Sequence, residues 1–79
     1  MGVFMNRLND LKMWQSCIIK KIDTSNSIKR RLYDIGLVEG TKVKVMLVKK
    51  NIKAFLIRNS LIAIRNSDSK NILVGDISD

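Results

Sequence analysis

Hydrophobic residues follow two different spacings on either side of Gly36. Before it, Ile28, Leu32 and Ile35 recur at intervals of four and three residues, which predicts one apolar face of a short helix. The charged residues of this segment lie off that face: Lys29, Arg30, Arg31 and Asp34. Because glycine readily adopts a positive φ, we expect Gly36 to end the helix at about Ile35.

The segment after Gly36 predicts a corner followed by a strand. Leu37 can fold back to close the helix cap, and Glu39 with Gly40 makes a turn. From Thr41 onward apolar and polar residues alternate, which indicates a half-buried strand over residues 41–48. The two faces of this strand are expected to carry Val43, Val45 and Leu47 on one side and Lys42, Lys44 and Met46 on the other.

Four further apolar runs predict strands, at residues 15–22, 54–58, 61–65 and 72–74. In the first run, Cys17 and Ile19 are expected on one face and Ile18 and Ile22 on the other. Five closely spaced strands in so short a chain favour a small barrel, because closure leaves few exposed edges. We therefore expect a mainly β fold with one short helix inserted between the first and second strands.

Polar residues between these segments predict the connections. Asn59-Ser60 is expected to be a two-residue hairpin turn, since asparagine tolerates a positive φ. Single helical turns are predicted at residues 7–11, where one would plug an end of the barrel, and at residues 66–70. The expected caps are Asn26 or Ser27 for the main helix and Asn66 or Ser67 for the later turn.

The length of 79 residues allows one domain, and 46% hydrophobic residues indicate a globular chain. Residues 1–6 and 75–79 are expected to be loose termini, and Met5 is an alternative initiator. No apolar run reaches the roughly 18 to 20 residues of a membrane span, and the N-terminus lacks a signal-peptide pattern. We expect a cytoplasmic protein that is not itself inserted in a membrane.

Residue types for catalysis and metal binding are scarce. The chain has no histidine and one cysteine, Cys17, which is expected to be a small buried hydrophobic residue. The chain therefore lacks the usual general base at neutral pH, and it has no paired carboxylates in an apolar setting that could replace it. We expect no enzymatic activity, no cofactor and no metal site.

Charge is the strongest compositional signal, with 15 Lys and Arg residues against 7 Asp and Glu and a net charge of +8. Such an excess favours an anionic partner, which could be a nucleic acid, the acidic face of a protein or the inner membrane surface. Trp14, the one tryptophan, is expected to pack in the core or at its rim, because no second aromatic residue lies near it in the sequence.

Three stretches together resemble the FeoA family, the small SH3-like-barrel proteins of bacterial ferrous iron uptake. They read RRLYDIGLVEGTKVKV at residues 30–45, LIAIR at 61–65 and NILV at 71–74. The resemblance extends over residues 8–74 and implies a five-stranded SH3-like barrel. Glu39 stands where members usually have proline, and Asn59 where a glycine is expected. The same signature occurs in C-terminal domains of iron-dependent repressors, but a chain of this length favours a stand-alone protein.

This resemblance implies a non-enzymatic accessory or regulatory protein that binds the cytosolic region of FeoB, a GTPase-containing iron transporter. The protein would be recruited to the inner face of the cytoplasmic membrane as a monomer or weak homodimer. The residues expected to contact the partner are Lys29, Arg30, Arg31, Tyr33 and Leu37. Two alternatives stay open: Arg30 merely pairs with Asp34 one turn on, or Leu37 merely closes the helix cap.

A basic small barrel that binds nucleic acid is the alternative function. The net charge favours it, but the aromatic residues are scattered, whereas single-strand binding requires aromatic residues interleaved with a basic groove. The lysines also come from separate segments. We therefore expect no specific nucleic-acid partner.

Overall fold

The computed structural model describes residues 6–79, which form six strands, two short α-helices and a 3-10 turn. The strands are β1 (Asn6–Arg7), β2 (Ser16–Ile22), β3 (Lys42–Val48), β4 (Ile52–Ile57), β5 (Ser60–Arg65) and β6 (Ile72–Val74). The helices are α1 (Asn26–Asp34) and α2 (Asn66–Ser69), and the 3-10 turn is Leu8–Asp10. The mainly β prediction is confirmed, with α1 inserted between the two long strands β2 and β3.

All strand pairs are antiparallel, and the order across the sheet is β1-β6-β2-β3-β4-β5. The prediction of five strands misses β1, in which Asn6 pairs with Val74 and Arg7 with Leu73. Two residues carry too little pattern to be recognised as a strand, so only the pairing with β6 defines β1. The five predicted strands all exist; the last has the predicted ends, and the ends of the other four differ by one or two residues.

The sheet encloses one hydrophobic core. Phe55 of β4 is fully buried within it, and Leu8 and Leu11 of the predicted helical turn are buried against the same cluster. The remaining core residues are Cys17, Ile19, Ile22, Leu32, Leu37, Val43, Val45, Ile57, Ile64, Ile72 and Val74. Leu8 of the 3-10 turn and Leu11 directly after it thus fill part of the core.

Two β-bulges change which side chains face the core. In β2 the register shifts between Ile19 and Lys21, so Ile22 turns inward beside Ile19, and its predicted place on the opposite face is wrong. In β3 the register shifts between Val45 and Leu47, which leaves Leu47 43% exposed instead of buried. An extra residue in one strand inverts the alternation beyond it, which a strict two-residue period does not anticipate.

The hairpin between β4 and β5 turns one residue earlier than predicted. Arg58 and Asn59 occupy the loop with φ values of 49° and 66°, and Ser60 already pairs with Ile57. Two successive positive φ values define the primed turn that matches the twist of a β-hairpin. Asparagine does supply one of them, as predicted, but arginine supplies the other.

The residue that caps each helix lies one position before the first of its two predicted caps. Ser25 precedes α1 and Arg65 precedes α2, each with an extended backbone and without a side-chain hydrogen bond to the helix. The predictions of Asn26 or Ser27, and of Asn66 or Ser67, are therefore wrong, because these residues already lie inside the helices.

The segment after β6 does not form the free tail that the sequence predicts. The amide of Ser16 donates to the carbonyl of Ser78 at 2.8 Å, and the amide of Ser78 donates back to Ser16 at 2.9 Å. Ile77 packs against the core. Asn6 likewise belongs to a strand, whereas residues 1–5 and the expectation for Met5 lie outside the described residues. No helix within residues 6–79 has the length and apolar character to cross a membrane.

Candidate protein-binding surface

The corner after α1 fixes the helix relative to the sheet. Gly36 has a φ of 91°, its amide donates to the carbonyl of Tyr33 at 3.0 Å, and the amide of Leu37 donates to Leu32 at 2.9 Å. These two bonds form a Schellman cap, and Leu37 is 0% exposed. Leu37 therefore closes the cap inside the core, and the prediction that it contacts a partner is wrong.

The chain then joins β3 through further hydrogen bonds. Gly40, with a φ of 90°, donates its amide to the carbonyl of Ile19 at 2.7 Å, and the Thr41 hydroxyl donates to the carbonyl of Gly36 at 3.3 Å. The cap and the start of β3 thus hold the exposed face of α1 in a fixed direction.

Two of the predicted contact residues form one cluster on this exposed face. The Tyr33 hydroxyl donates to the carboxylate of Glu39, with oxygen distances of 2.7 Å and 3.0 Å. The Lys29 ammonium lies 5.7 Å from the centre of the Tyr33 ring, within range of a cation–π contact. The hydrogen bond from Tyr33 lowers the pKa of Glu39, and the same bond raises the pKa of Tyr33.

The other two basic residues of α1 are exposed but face different surroundings. Arg30 is an exposed residue of the helix, while Arg31 lines a groove of about 410 Å³ between α1 and β5. The groove is lined by Ile28, Arg31, Leu32, Ile35, Ile52, Ile62, Ala63, Ile64, Arg65 and Asp68. The predicted residues therefore divide between a Lys29–Tyr33 cluster, an exposed Arg30 and a groove that contains Arg31.

A second groove, of about 640 Å³, lies beside the corner and contains basic residues from β3 and from the hairpin turn. Lys42 and Lys44 of β3 and Arg58 of the hairpin turn line it together with Leu56. The alternation in the sequence already placed Lys42 and Lys44 on one face, but only the pairing of β3 with β4 places Lys44 opposite Leu56.

Trp14 lies at the surface rather than in the core. It is 56% exposed with a φ of 70°, and its amide donates to the carbonyl of Val45 at 2.9 Å. The Lys44 ammonium lies 6.0 Å from the centre of the indole ring. Of the two predicted places, core and rim, the core is wrong, because more than half of the Trp14 side chain is exposed.

Lys53 is a buried basic residue that the sequence did not single out. Its ammonium donates to both the carbonyl and the side-chain oxygen of Asn9, each at 3.0 Å. This contact ties β4 to the 3-10 turn, so Lys53 serves the fold and is not available to a partner.

Cys17 is buried, as predicted, and burial raises the pKa of its thiol to about 11. Within residues 6–79, no three His, Cys, Asp or Glu side chains come together in a way that could hold a metal ion.

The antiparallel sheet, its plugged core and the helix between two long strands define a small SH3-like barrel with an exposed basic helix. The sequence profile of the FeoA domain matches residues 6–75. The chain therefore belongs to the FeoA family.

Solved structures with the same fold agree with this assignment. The FeoA protein from Chlorobium tepidum is 25% identical with a TM-score of 0.84, over 89% of this chain and 69% of that one. The zinc complex of Stenotrophomonas maltophilia FeoA is 24% identical with a TM-score of 0.76, over 87% and 88%.

A further solved structure has the same fold in part of its chain. IdeR from T. acidophilum is 24% identical with a TM-score of 0.84, over 95% of this chain but only 35% of IdeR. This likeness shows the fold alone. No curated protein matches the chain.

Proposed function

We propose that this protein is a non-enzymatic accessory protein of ferrous iron uptake that binds the cytosolic region of a FeoB-type transporter. Membership of the FeoA family carries the proposal. The Stenotrophomonas maltophilia FeoA protein is described as a candidate activating factor of bacterial ferrous iron transport, which supports the same role here. The protein acts in the cytoplasm and reaches the inner face of the membrane through its partner.

The exposed face of α1 supports a protein interface. Lys29, Arg30 and Tyr33 are side chains that can combine apolar contact with charge or hydrogen bonding, and arginine and tyrosine are enriched where proteins bind one another. The capped corner holds this face rigidly, so little ordering is required when a partner binds.

A binding titration against the purified FeoB-type transporter of the same source tests the proposal. The transporter is held in detergent near physiological salt, with and without guanine nucleotide. Saturable binding supports the accessory role, and a dependence on the nucleotide supports regulation at the GTPase domain. No binding in any nucleotide state contradicts the proposal.

Charge reversal then tests the helix face. We expect Arg30→Glu combined with Arg31→Glu to weaken binding by about tenfold or more, since both side chains are exposed and can contact a partner. The control is Lys49→Glu combined with Lys50→Glu, which makes the same change in net charge in the exposed loop between β3 and β4. Equal binding by the two double variants would contradict the assignment to α1.

One observation favours nucleic-acid binding as a second candidate function. Trp14 is exposed next to Lys44, and Lys42 and Arg58 line the neighbouring groove, so an aromatic ring and cations share one surface. Binding at low salt does not distinguish this function, because a protein of charge +8 attracts any polyanion. Affinity for a defined oligonucleotide that persists near 0.15 M salt and is lost in Trp14→Ala would support it.

A further inference from the structure

β5 forms one edge of the sheet. Its residues Ser60–Arg65 pair with β4 on one side, and within residues 6–79 no other strand pairs with the opposite side. Edge strands expose unpaired amides and carbonyls that can accept another strand, and many proteins protect them with lysine or proline. β5 reads SLIAIR, contains neither, and exposes 63% of Leu61. Its edge is therefore chemically open to strand addition.

The register shows which residues offer hydrogen bonds on that side. Ile57 and Ser60 face each other across the two-residue turn, so in this kind of hairpin they form a hydrogen-bonded pair. Along an antiparallel strand, residues that form hydrogen bonds with the neighbouring strand alternate with residues whose amides and carbonyls point away from it. Consequently Leu61 and Ala63 direct their amides and carbonyls away from β4, toward the open side.

A groove runs along this open edge. Four consecutive residues of β5, at positions 62–65, line it, which means that the strand presents its edge and not just one face. The opposite wall is one face of α1, formed by residues at helical spacing: Ile28, Arg31, Leu32 and Ile35. A helix facing an unpaired strand edge is the arrangement in which an extended peptide can add to a sheet while its side chains contact the helix.

The charges of the groove indicate what would occupy it. Arg31 and Arg65 line it against a single carboxylate, Asp68, so the groove has an excess of positive charge. Ile28, Ile35 and Ile62 give it an apolar surface. An extended segment that alternates apolar side chains with acidic ones matches both properties, because alternate residues of a strand face opposite sides.

We propose that an extended, acidic segment of the partner protein adds to β5 as an extra strand in the groove beneath α1. This inference rests on the proposed function, since it places that segment in the FeoB-type transporter. It also gives Arg31 a role distinct from that of Arg30: Arg31 binds the carboxylate of the added strand, whereas Arg30 lies on the outer helix face.

Ala63→Pro tests the added strand directly. The proline removes an amide hydrogen on the open side and leaves the ladder to β4 intact, a position where edge strands tolerate proline. The control is Ala63→Val, which changes the side chain and keeps the amide. We expect transporter binding to weaken by about tenfold or more in Ala63→Pro and to stay within about threefold of the parent in Ala63→Val.

A measurement on the unaltered protein covers the case in which Ala63→Pro does not fold. In the complex with the transporter, hydrogen exchange at the amides of Leu61 and Ala63 should slow markedly relative to the free protein, while the exposed loop around Lys50 should not change. Slowed exchange at these two amides supports the added strand, and unchanged exchange overturns it.

The outcomes separate this inference from the proposed function. If the parent binds the transporter and Ala63→Pro binds equally well, the added strand is wrong and the accessory role stands. If the parent does not bind, both fail. If Ala63→Pro instead abolishes self-association of the free protein in sedimentation velocity, the edge serves a second copy of this chain, and the proposal of a partner segment is overturned.

Discussion

The Tyr33 hydroxyl and the Glu39 carboxylate join the last turn of α1 to the corner that follows it, at distances of 2.7 Å and 3.0 Å. The resemblance to the FeoA family implies a proline at position 39, where this chain has Glu39. A proline would restrain the corner by fixing φ, whereas here a hydrogen bond between side chains spans it. The bond lies at the surface, so it also defines the shape of the face that α1 offers to a partner.

The first prediction concerns this pair. Because the hydrogen bond from Tyr33 holds the pKa of Glu39 below its usual range, Tyr33→Phe should move that pKa upward. A pH titration of the Glu39 side-chain carbon by NMR, in the variant and in the unaltered protein, measures the change. An unchanged Glu39 titration would show that the bond does not persist in solution.

The pKa shifts of Glu39 and Tyr33 also determine how the stability of the folded protein depends on pH. Because the pKa of Glu39 is lowered, its carboxylate stabilises the folded protein at pH values above the ordinary carboxyl pKa. This stabilisation is lost as the pH falls through the folded-state pKa of Glu39. Because the pKa of Tyr33 is raised, its hydroxyl stabilises the folded protein at pH values below the ordinary phenol pKa. This stabilisation is lost as the pH rises through the folded-state pKa of Tyr33. Since both groups are exposed, NMR is the appropriate measurement.

The second prediction concerns the helix cap. Gly36→Ala should lower the free energy of unfolding by about 1 to 2 kcal/mol, because alanine is strained at a φ of 91°. Gly36→Asn should cost less, since asparagine adopts this conformation more readily. Urea denaturation of the three proteins measures the difference. Equal stability of the alanine and asparagine variants would argue against a left-handed cap at this position.

The third prediction concerns Lys53, whose ammonium holds Asn9 in the 3-10 turn. Lys53→Met keeps most of the buried stem but removes both hydrogen bonds, so we expect a loss of about 1 to 3 kcal/mol in the free energy of unfolding. Lys42→Met on the exposed face of β3 is the matched control and should change it by less than about 0.5 kcal/mol. If both variants lose equal stability, the contact with Asn9 contributes nothing specific.

The fourth prediction concerns Cys17. Burial raises the pKa of its thiol to about 11, so the native protein should react with a thiol-specific disulfide reagent at about pH 8 far more slowly than the urea-unfolded chain does. The raised pKa also means that stability falls as the pH rises from the ordinary thiol range through about 11. Rapid labelling of the native protein would contradict the buried position.

Local patterns predicted much of the fold. The apolar face of α1, the glycine cap at Gly36 and the leucines of the 3-10 turn depend on neighbours within one or two turns of chain, where periodicity carries the information. The distinctive run at residues 30–45 likewise indicated the family, which the match over residues 6–75 confirms.

The remaining features were decided by contacts between distant segments. The bulges that turn Ile22 inward and Leu47 outward arise where paired strands must curve around the core, and β1 exists only because β6 pairs with it. At the surface, sequence alone selected Arg31, but only the tertiary structure places it opposite the open edge of β5. Sequence spacing determined which residues share a helix face, whereas strand pairing determined what that face lies against.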